Sequence, residues 1–224
     1  MKSLTHPIAA AAALVLLASL AGNAQAQVGT GSLAGWTVLG DVIAQAGAIK
    51  LTTAYLDGFT DQPLNLSGTS AAYITQVEIA AGVAALALDL PEPEYGQEGS
   101  VIAQSFAVAA GSKLTFSWSF STVEDRFLDR AFAVVNGQIF TLATRSAPGL
   151  ATQTFSFTFA AAGVATLALG VIDTGDVLGV STLAVRNLVV SVVPEPTTLA
   201  LWLAGLAGLG LAGAGARRRR AVQR

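Results

Sequence analysis

Hydrophobic and polar residues alternate along several stretches in the second half of the chain. Aromatic and aliphatic residues alternate with Ser or Thr over 114–121, and phenylalanines do so over 154–159. Such alternation places the two kinds of side chain on opposite faces of a β-strand. The Asn-Gly pair at 136–137 lies between two apolar runs and predicts a β-hairpin, and further strands are predicted over 164–172 and 183–192. These segments predict an antiparallel sheet with one buried face.

The first half of the chain has a less regular pattern. Strands are predicted over 36–39 and 48–54, and a turn-rich loop over 57–70. Apolar residues at helical spacing predict a short helix within 72–89, and the two prolines of 91–96 exclude that acidic segment from a central strand. Many short strands without a regular strand–helix alternation predict an all-β fold. The expected architecture is a two-sheet antiparallel β-sandwich, jelly-roll-like, with one short helix.

The N-terminal segment has the composition of an export signal. Lys2 supplies a positive charge, 8–20 is a short apolar run, and Ala24 and Ala26 form an Ala-x-Ala cleavage pattern. The apolar run is shorter than a membrane-spanning helix requires, and small polar residues follow it. We therefore expect a signal helix within 1–26, which engages the export translocon and is removed by signal peptidase.

An uncharged segment of Leu, Ala and Gly with one Trp lies near the C-terminus, over 199–216. As a helix it would extend about 27 Å, close to the thickness of a hydrocarbon core. The basic end 217–224 begins with four consecutive arginines, Arg217, Arg218, Arg219 and Arg220. Because clustered arginines resist translocation, this end should stay cytoplasmic while the preceding chain lies outside. The segment is therefore predicted to be a transmembrane helix that anchors an exported precursor in the inner membrane.

A short motif precedes the apolar segment. Pro194, Glu195 and Pro196 stand within 194–198, where the two prolines hold the backbone extended and outside the following helix. Pro-Glu-Pro, an apolar span and an arginine cluster, in this order at the C-terminus, resemble the PEP-CTERM sorting signal of exported Gram-negative proteins. That resemblance implies an exosortase-type membrane peptidase as a partner, which cuts near the motif, and makes 27–193 the exported cargo.

The body of the protein, residues 27–193, is acidic, although the whole chain has a formal charge of only −2. The body has six basic and thirteen acidic residues, and the arginines of the tail 194–224 raise the total. An acidic body is not expected to bind nucleic acid or anionic lipid. The chain has no Cys, and its single histidine, His6, lies in the signal segment. This composition excludes His- or Cys-dependent nucleophilic catalysis, thiolate or imidazole metal sites and disulfides from the mature body.

Two predicted loops carry clustered carboxylates. Glu124 and Asp129 follow the strand at 114–121, and Asp173 and Asp176 lie on a second loop. If the two loops meet, their oxygens could hold Ca²⁺, which accepts six to eight oxygen ligands in irregular geometry. The alternative is that these acids cap turns and pair with nearby arginines. Glu124 with Asp173 is also the one carboxylate pair that could serve glycoside hydrolysis.

Four aromatic residues outside the phenylalanine-rich strands are candidates for ligand binding: Trp36, Tyr55, Tyr73 and Tyr95. An aromatic ring can pack against the apolar face of a pyranose sugar. The alternative is that these four residues complete the core or cover its rim.

Three classes of function remain for the body. The preferred class is a non-catalytic binding module at the cell surface or in the extracellular matrix, with exopolysaccharide as the candidate ligand. A structural or adhesive component that self-associates through sheet edges is the first alternative. A glycoside-active enzyme is least favoured, because the body lacks His, Cys and a glycosidase signature. Apart from the candidate Ca²⁺, no cofactor is expected.

Overall fold

The computed structural model describes residues 29–56, 61–123, 126–145 and 152–191, together with the isolated helical positions 202, 205 and 206. Several residues singled out in the sequence lie outside this set: Ala24, Ala26, Glu124, Pro194, Glu195, Pro196, Arg217, Arg218, Arg219 and Arg220. Their roles therefore stay predictions, as do the signal helix and the transmembrane helix. Within the described residues, none of the helices combines the length and the apolar character that crossing a bilayer requires.

The described residues form eleven β-strands and one α-helix, with a short 3₁₀ helix at Gln62–Leu64. In chain order the strands are β1 (Thr37–Leu39), β2 (Asp41–Gln45), β3 (Ala48–Thr52), β4 (Ala72–Tyr73), β5 (Gly96–Val108), β6 (Lys113–Thr122), β7 (Arg130–Val135), β8 (Gln138–Thr144), β9 (Gln153–Thr158), β10 (Gly163–Thr174) and β11 (Ser181–Ser191). The helix α1 (Ile74–Ala81) follows β4 directly.

The strands pair antiparallel in two sheets. The first sheet has the order β1-β5-β10-β7-β8, with β4 also paired to β5, and the second has the order β2-β3-β11-β6-β9. The pairs are nested along the chain, with β3 against β11, β5 against β10, β6 against β9 and β7 against β8. Nested pairing divided over two sheets is the connectivity of a jelly roll. The predicted two-sheet antiparallel sandwich with one short helix is confirmed.

The main core lies between the two sheets. Alternate residues of β6 point into it, and all four are buried: Leu114, Phe116, Trp118 and Phe120. A second, smaller core lies where α1 covers the outer face of the first sheet: Val77 of α1 and Leu88 of the turns that follow it pack with Phe132 and Ile172. The first sheet is therefore buried on both faces over part of its area, whereas the second sheet has one buried face.

The chain passes from the first sheet to the second at Gly40, between β1 and β2. Gly40 has φ of +88°, and a Cβ built there would lie 2.3 Å from Ser100 Oγ. Only glycine fits both the left-handed backbone and this close approach. The same serine hydroxyl accepts a hydrogen bond of 2.7 Å from the Asp41 N–H, which fixes the start of β2 against the first sheet.

The short helix predicted within 72–89 is confirmed. It spans Ile74–Ala81 and ends there because Gly82 follows it with a left-handed φ of 72°. The Gly82 N–H donates to the carbonyl of Ile79, and the N–H of the next residue donates to the carbonyl of Glu78. This arrangement ends a helix by satisfying its last carbonyl groups, and the chain continues in turns.

Candidate functional site

Two of the predicted carboxylates meet inside the protein. Asp129 precedes β7 and Asp173 lies near the end of β10, and each is only 1% exposed. Asp129 accepts a hydrogen bond of 3.2 Å from the Thr174 N–H and one of 2.7 Å from the Ser181 hydroxyl. The pair therefore lies at one end of the sandwich, where β10 ends and β7 and β11 begin; we call this the polar end.

The two carboxyl groups of this pair interact electrostatically. Burial raises the pKa of Asp173 well above its ordinary value, and the negative charge of Asp129 raises it further. A side-chain hydrogen bond with Asp129 also raises the pKa of Asp173, whereas one with Thr53 lowers it. Two adjacent ionised carboxylates are costly to bury, and Asp129 accepts hydrogen bonds from the Thr174 N–H and the Ser181 hydroxyl. Burial and the neighbouring Asp129 therefore favour the neutral form of the Asp173 carboxyl.

The remaining predicted calcium ligands do not join this pair in the described structure. Asp176 lies in the turn after β10, where its carboxylate accepts a hydrogen bond of 2.9 Å from the Leu178 N–H. Glu124 lies outside the described residues. In the part of the chain that the structure covers, no group of three or more acidic, His or Cys side chains is placed to hold a metal ion. A calcium site therefore remains a prediction that needs Glu124 or its neighbours.

The burial of Asp173 also bears on the carboxylate pair considered for glycoside hydrolysis. A general acid or nucleophile must reach the glycosidic bond of a bound sugar. At 1% exposure, the Asp173 carboxyl is enclosed by β10 and its neighbours and does not reach the surface. In this conformation, Asp173 is not accessible to a polysaccharide.

A third buried carboxylate, Asp41, fixes the long loop between β3 and β4. It is fully buried and accepts hydrogen bonds from the Leu66 N–H at 2.9 Å, the Ser67 N–H at 2.7 Å and the Thr52 hydroxyl. The Thr52 carbonyl accepts a hydrogen bond of 2.6 Å from Ser100, which joins the two sheets. Sequence reasoning missed this group, because two of its three donors are backbone N–H groups, which leave no sequence signal.

A surface pocket lies at the edge of the first sheet, beside Trp36. Its volume is about 320 Å³, and its lining consists of Gly29, Gly31, Ser32, Ala34, Trp36 and Gln104. The pairing of Thr37 with Ala103, extended by one residue, places Trp36 directly across from Gln104 on β5. Trp36 is 9% exposed, and most of its ring belongs to the main core.

The amide of Gln104 is the polar group of this pocket. Its Oε1 atom is buried, and no residue in the described ranges donates a hydrogen bond to it. Its Nε2 atom lies 3.2 Å from where a Cβ on Gly35 would stand, and Gly35 has a left-handed φ of +82°. Glycine at this position therefore lets the backbone approach the amide closely. The lining of the pocket therefore includes the half-buried amide side chain of Gln104, the indole of Trp36 and the exposed residue Ser32.

The three tyrosines lie elsewhere, near the polar end. Tyr73 is 66% exposed and Tyr95 is 48% exposed, whereas Tyr55 is half-buried. Tyr73 pairs with Glu98 on β5, six residues from Gln104, which corresponds to about 20 Å along the strand. The structure therefore divides the four aromatic candidates between two places, with Trp36 alone in the pocket and the tyrosines at the polar end.

Comparison with models of known protein families gives no match to this chain. Comparison with characterised proteins gives none either. Solved structures with a similar arrangement include TmCBM61 in complex with beta-1,4-galactotriose, at 10% identity and a TM-score of 0.39, covering 73% of this chain and 92% of that one. A second is a structure of a CBM4 protein, at 13% identity and a TM-score of 0.34, covering 71% of this chain and 96% of that one. A third is a family two carbohydrate esterase from Cellvibrio japonicus, at 11% identity and a TM-score of 0.32, covering 75% of this chain and 35% of that one. Identities and TM-scores this low assign no function to this chain.

Proposed function

We propose that the β-sandwich is a non-catalytic carbohydrate-binding module and that the pocket beside Trp36 is its binding site. The observation that carries this proposal is the lining of the pocket, in which the Gln104 amide and the Trp36 indole come from facing positions on neighbouring strands. A primary amide both donates and accepts hydrogen bonds, so the half-buried Gln104 side chain can bind ligand hydroxyl groups. Sugars present such hydroxyls on every ring.

The other lining groups fit the same class of ligand. The part of Trp36 that lines the pocket offers an apolar contact for the C–H groups of a pyranose, and Ser32 offers a hydroxyl. A volume of about 320 Å³ is at the small end for ligand sites, which span roughly 300–1,000 Å³. This size suits one or two sugar rings, such as a chain end, rather than a long stretch of polysaccharide.

Binding by the purified full chain tests the proposal. Affinity electrophoresis and calorimetry with galactan, xylan, β-glucan and alginate measure whether a polysaccharide is retained and how tightly. Gln104→Leu removes the hydrogen-bonding groups of the amide at similar volume, so we expect at least a ten-fold loss of affinity, about 1.4 kcal/mol. Its thermal stability should be unchanged or higher, because the substitution replaces an unsatisfied amide by an apolar group.

A matched control separates the pocket from the other aromatic candidates. The double variant Tyr73→Ala and Tyr95→Ala changes only exposed rings near the polar end, and it should bind as the unaltered protein does. Loss of binding in this variant but not in Gln104→Leu would contradict the assignment of the binding site to the pocket and would place the site at the tyrosines. Failure of the unaltered chain to bind any of the four polysaccharides would contradict the function for this ligand set.

Delivery to the cell surface or extracellular matrix is the second part of the proposal. It is supported by the order of three sequence features: an export signal within 1–26, the motif Pro194-Glu195-Pro196 and an apolar segment followed by four arginines. In this scheme the precursor is held in the inner membrane until an exosortase-type peptidase cuts near the motif. The acidic body then enters the envelope polysaccharide, where its pocket meets its ligand.

A further inference from the structure

Strand β9 forms the outer edge of the second sheet. Its inner edge pairs with β6, and across the described ranges no strand pairs with its outer edge. Unpaired edge strands expose N–H and C=O groups to pairing with other chains, and proteins commonly protect them with charges, prolines or short length. An edge strand without such protection is therefore a candidate for pairing with another chain.

The two sides of the sandwich differ in this protection. On one side the edge strands are β1, which has only three residues, and β2, which begins at Asp41. On the other side the edge strands are β8 and β9, and neither contains a charged residue or a proline. The β8–β9 side therefore offers the longer edges, with seven and six residues and no charge, whereas β1 has three residues and β2 has five.

The backbone of β9 directs alternate residues outward. The Phe159 N–H donates to the Ser112 carbonyl at 2.9 Å, and the Phe159 carbonyl accepts from the Gly111 N–H at 2.7 Å. Both groups of Phe159 therefore point toward the β6 side, and successive residues of a strand alternate in direction. It follows that Thr154, Ser156 and Thr158 direct their N–H and C=O groups to the open edge.

The sequence of this edge is the same in both directions. Residues 154–158 are Thr-Phe-Ser-Phe-Thr, with Ser156 at the centre. A two-fold axis through Ser156 would set Ser156 against itself and Thr154 against Thr158 of a second copy, with all outward N–H groups matched to carbonyls. The same register sets Phe155 against Phe157, so phenyl rings meet phenyl rings on the core side and hydroxyls meet hydroxyls on the outer side.

We propose that this edge is the interface of a homodimer in which β9 pairs antiparallel with β9 of a second copy. The second sheet would then continue from one sandwich into the other. Phe155 and Phe157 are only partly buried against the main core, and Phe140 of β8 contacts both rings at 5.3 and 5.9 Å between centroids. Pairing would cover these half-exposed rings, and it would bring no β9 charges together, because the strand has none.

Single cysteines test the register directly, because the chain has no cysteine of its own. In the full chain purified in detergent, Ser156→Cys places two thiols across the axis with Cα atoms about 5.5 Å apart, within disulfide range. Thr154→Cys alone leaves its two copies offset by four residues, about 13 Å along the strand. We expect Ser156→Cys to form the disulfide dimer at least ten-fold faster than Thr154→Cys.

The mixed experiment fixes the partner residue. Thr154→Cys and Thr158→Cys should each cross-link slowly alone and at least ten-fold faster when the two variants are mixed, because the proposed register sets these positions opposite each other. Equal rates for Ser156→Cys and Thr154→Cys would overturn the proposal. So would the absence of faster cross-linking in the mixture.

A charged variant tests the same interface without cysteines. Ser156→Lys sets two like charges opposite each other at the axis, and we expect at least a ten-fold weaker dimer by sedimentation of the full chain. Ser121→Lys is the matched control, because this exposed serine lies on the outer face of β6, beyond the end of its pairing with β9. A dimer that survives Ser156→Lys as well as Ser121→Lys is held by another part of the chain and would contradict the proposal.

Discussion

At the scale of single residues, Asp41 is a fully buried carboxylate that accepts hydrogen bonds from β3 and from the loop before β4. Asp41→Ala would leave the Leu66 and Ser67 N–H groups without an acceptor. We expect the free energy of unfolding to fall by about 3 kcal/mol, because hydrogen bonds to buried charged groups are costly to lose. Urea denaturation measures this change. Asp176→Ala, at a partly exposed turn, should lower the free energy of unfolding by less than 1 kcal/mol. Equal losses in both variants would contradict the stabilising role assigned to the Asp41 carboxylate.

The buried pair of Asp129 and Asp173 predicts a dependence of stability on pH. Burial and Asp129 raise the pKa of Asp173 in the folded protein. The contribution of this carboxyl to the free energy of unfolding is therefore fully present below its unfolded pKa of about 4. That contribution is lost as the pH rises through the folded pKa, at about 1.4 kcal/mol per pH unit.

The variant Asp173→Asn isolates this effect, since its amide mimics the neutral carboxyl. Between pH 4 and the folded pKa of Asp173, the free energy of unfolding of the variant should rise relative to the unaltered protein. Urea denaturation at a series of pH values measures the difference, with Asp176→Asn as the control that leaves the buried pair intact. A constant difference across this range would show that Asp173 is ionised in the folded protein.

At the scale of elements, the sequence pattern predicts those strands that have one buried and one exposed face. The alternation over 114–121 corresponds to β6, and the Asn-Gly pair at 136–137 forms the turn between β7 and β8. By contrast, β5 is the longest strand and escaped prediction. It lies between the main core and α1, so residues on both of its faces are buried and the two-residue period disappears. The strand β2 was missed as well.

The candidate site depends on pairings that no local pattern encodes. Trp36 can be chosen from the sequence as an aromatic candidate, but its partner Gln104 is a single amide in a strand that was not predicted. The two meet only because β1 pairs with β5, far apart in the chain. The same holds for Asp129 and Asp173, which were selected together from their loops but whose burial follows from the docking of β7 and β11 against β10. Residue types are visible in the sequence, whereas exposure is decided by topology.

At the scale of the whole molecule, the body and the tail differ in charge. The body has an excess of acidic residues, whereas five arginines lie in the last eight residues of the chain. The proposed export route depends on the arginines of the tail, because clustered basic residues stay in the cytoplasm whereas acidic residues have little influence on orientation. The proposed dimer edge and pocket both belong to the exported body, so they would act only after translocation.

The orientation of the precursor is testable with a reporter fused behind Arg224. With the native tail, alkaline phosphatase should be inactive at this position, because four arginines hold the end in the cytoplasm. Replacing Arg217, Arg218, Arg219 and Arg220 together with Gln should raise its activity at least ten-fold by letting the end cross the membrane. Arg224→Gln alone keeps the cluster and should leave the activity low. High activity behind the intact cluster would contradict the proposed topology, because an end that crosses the membrane freely cannot hold the body beside a membrane-embedded peptidase.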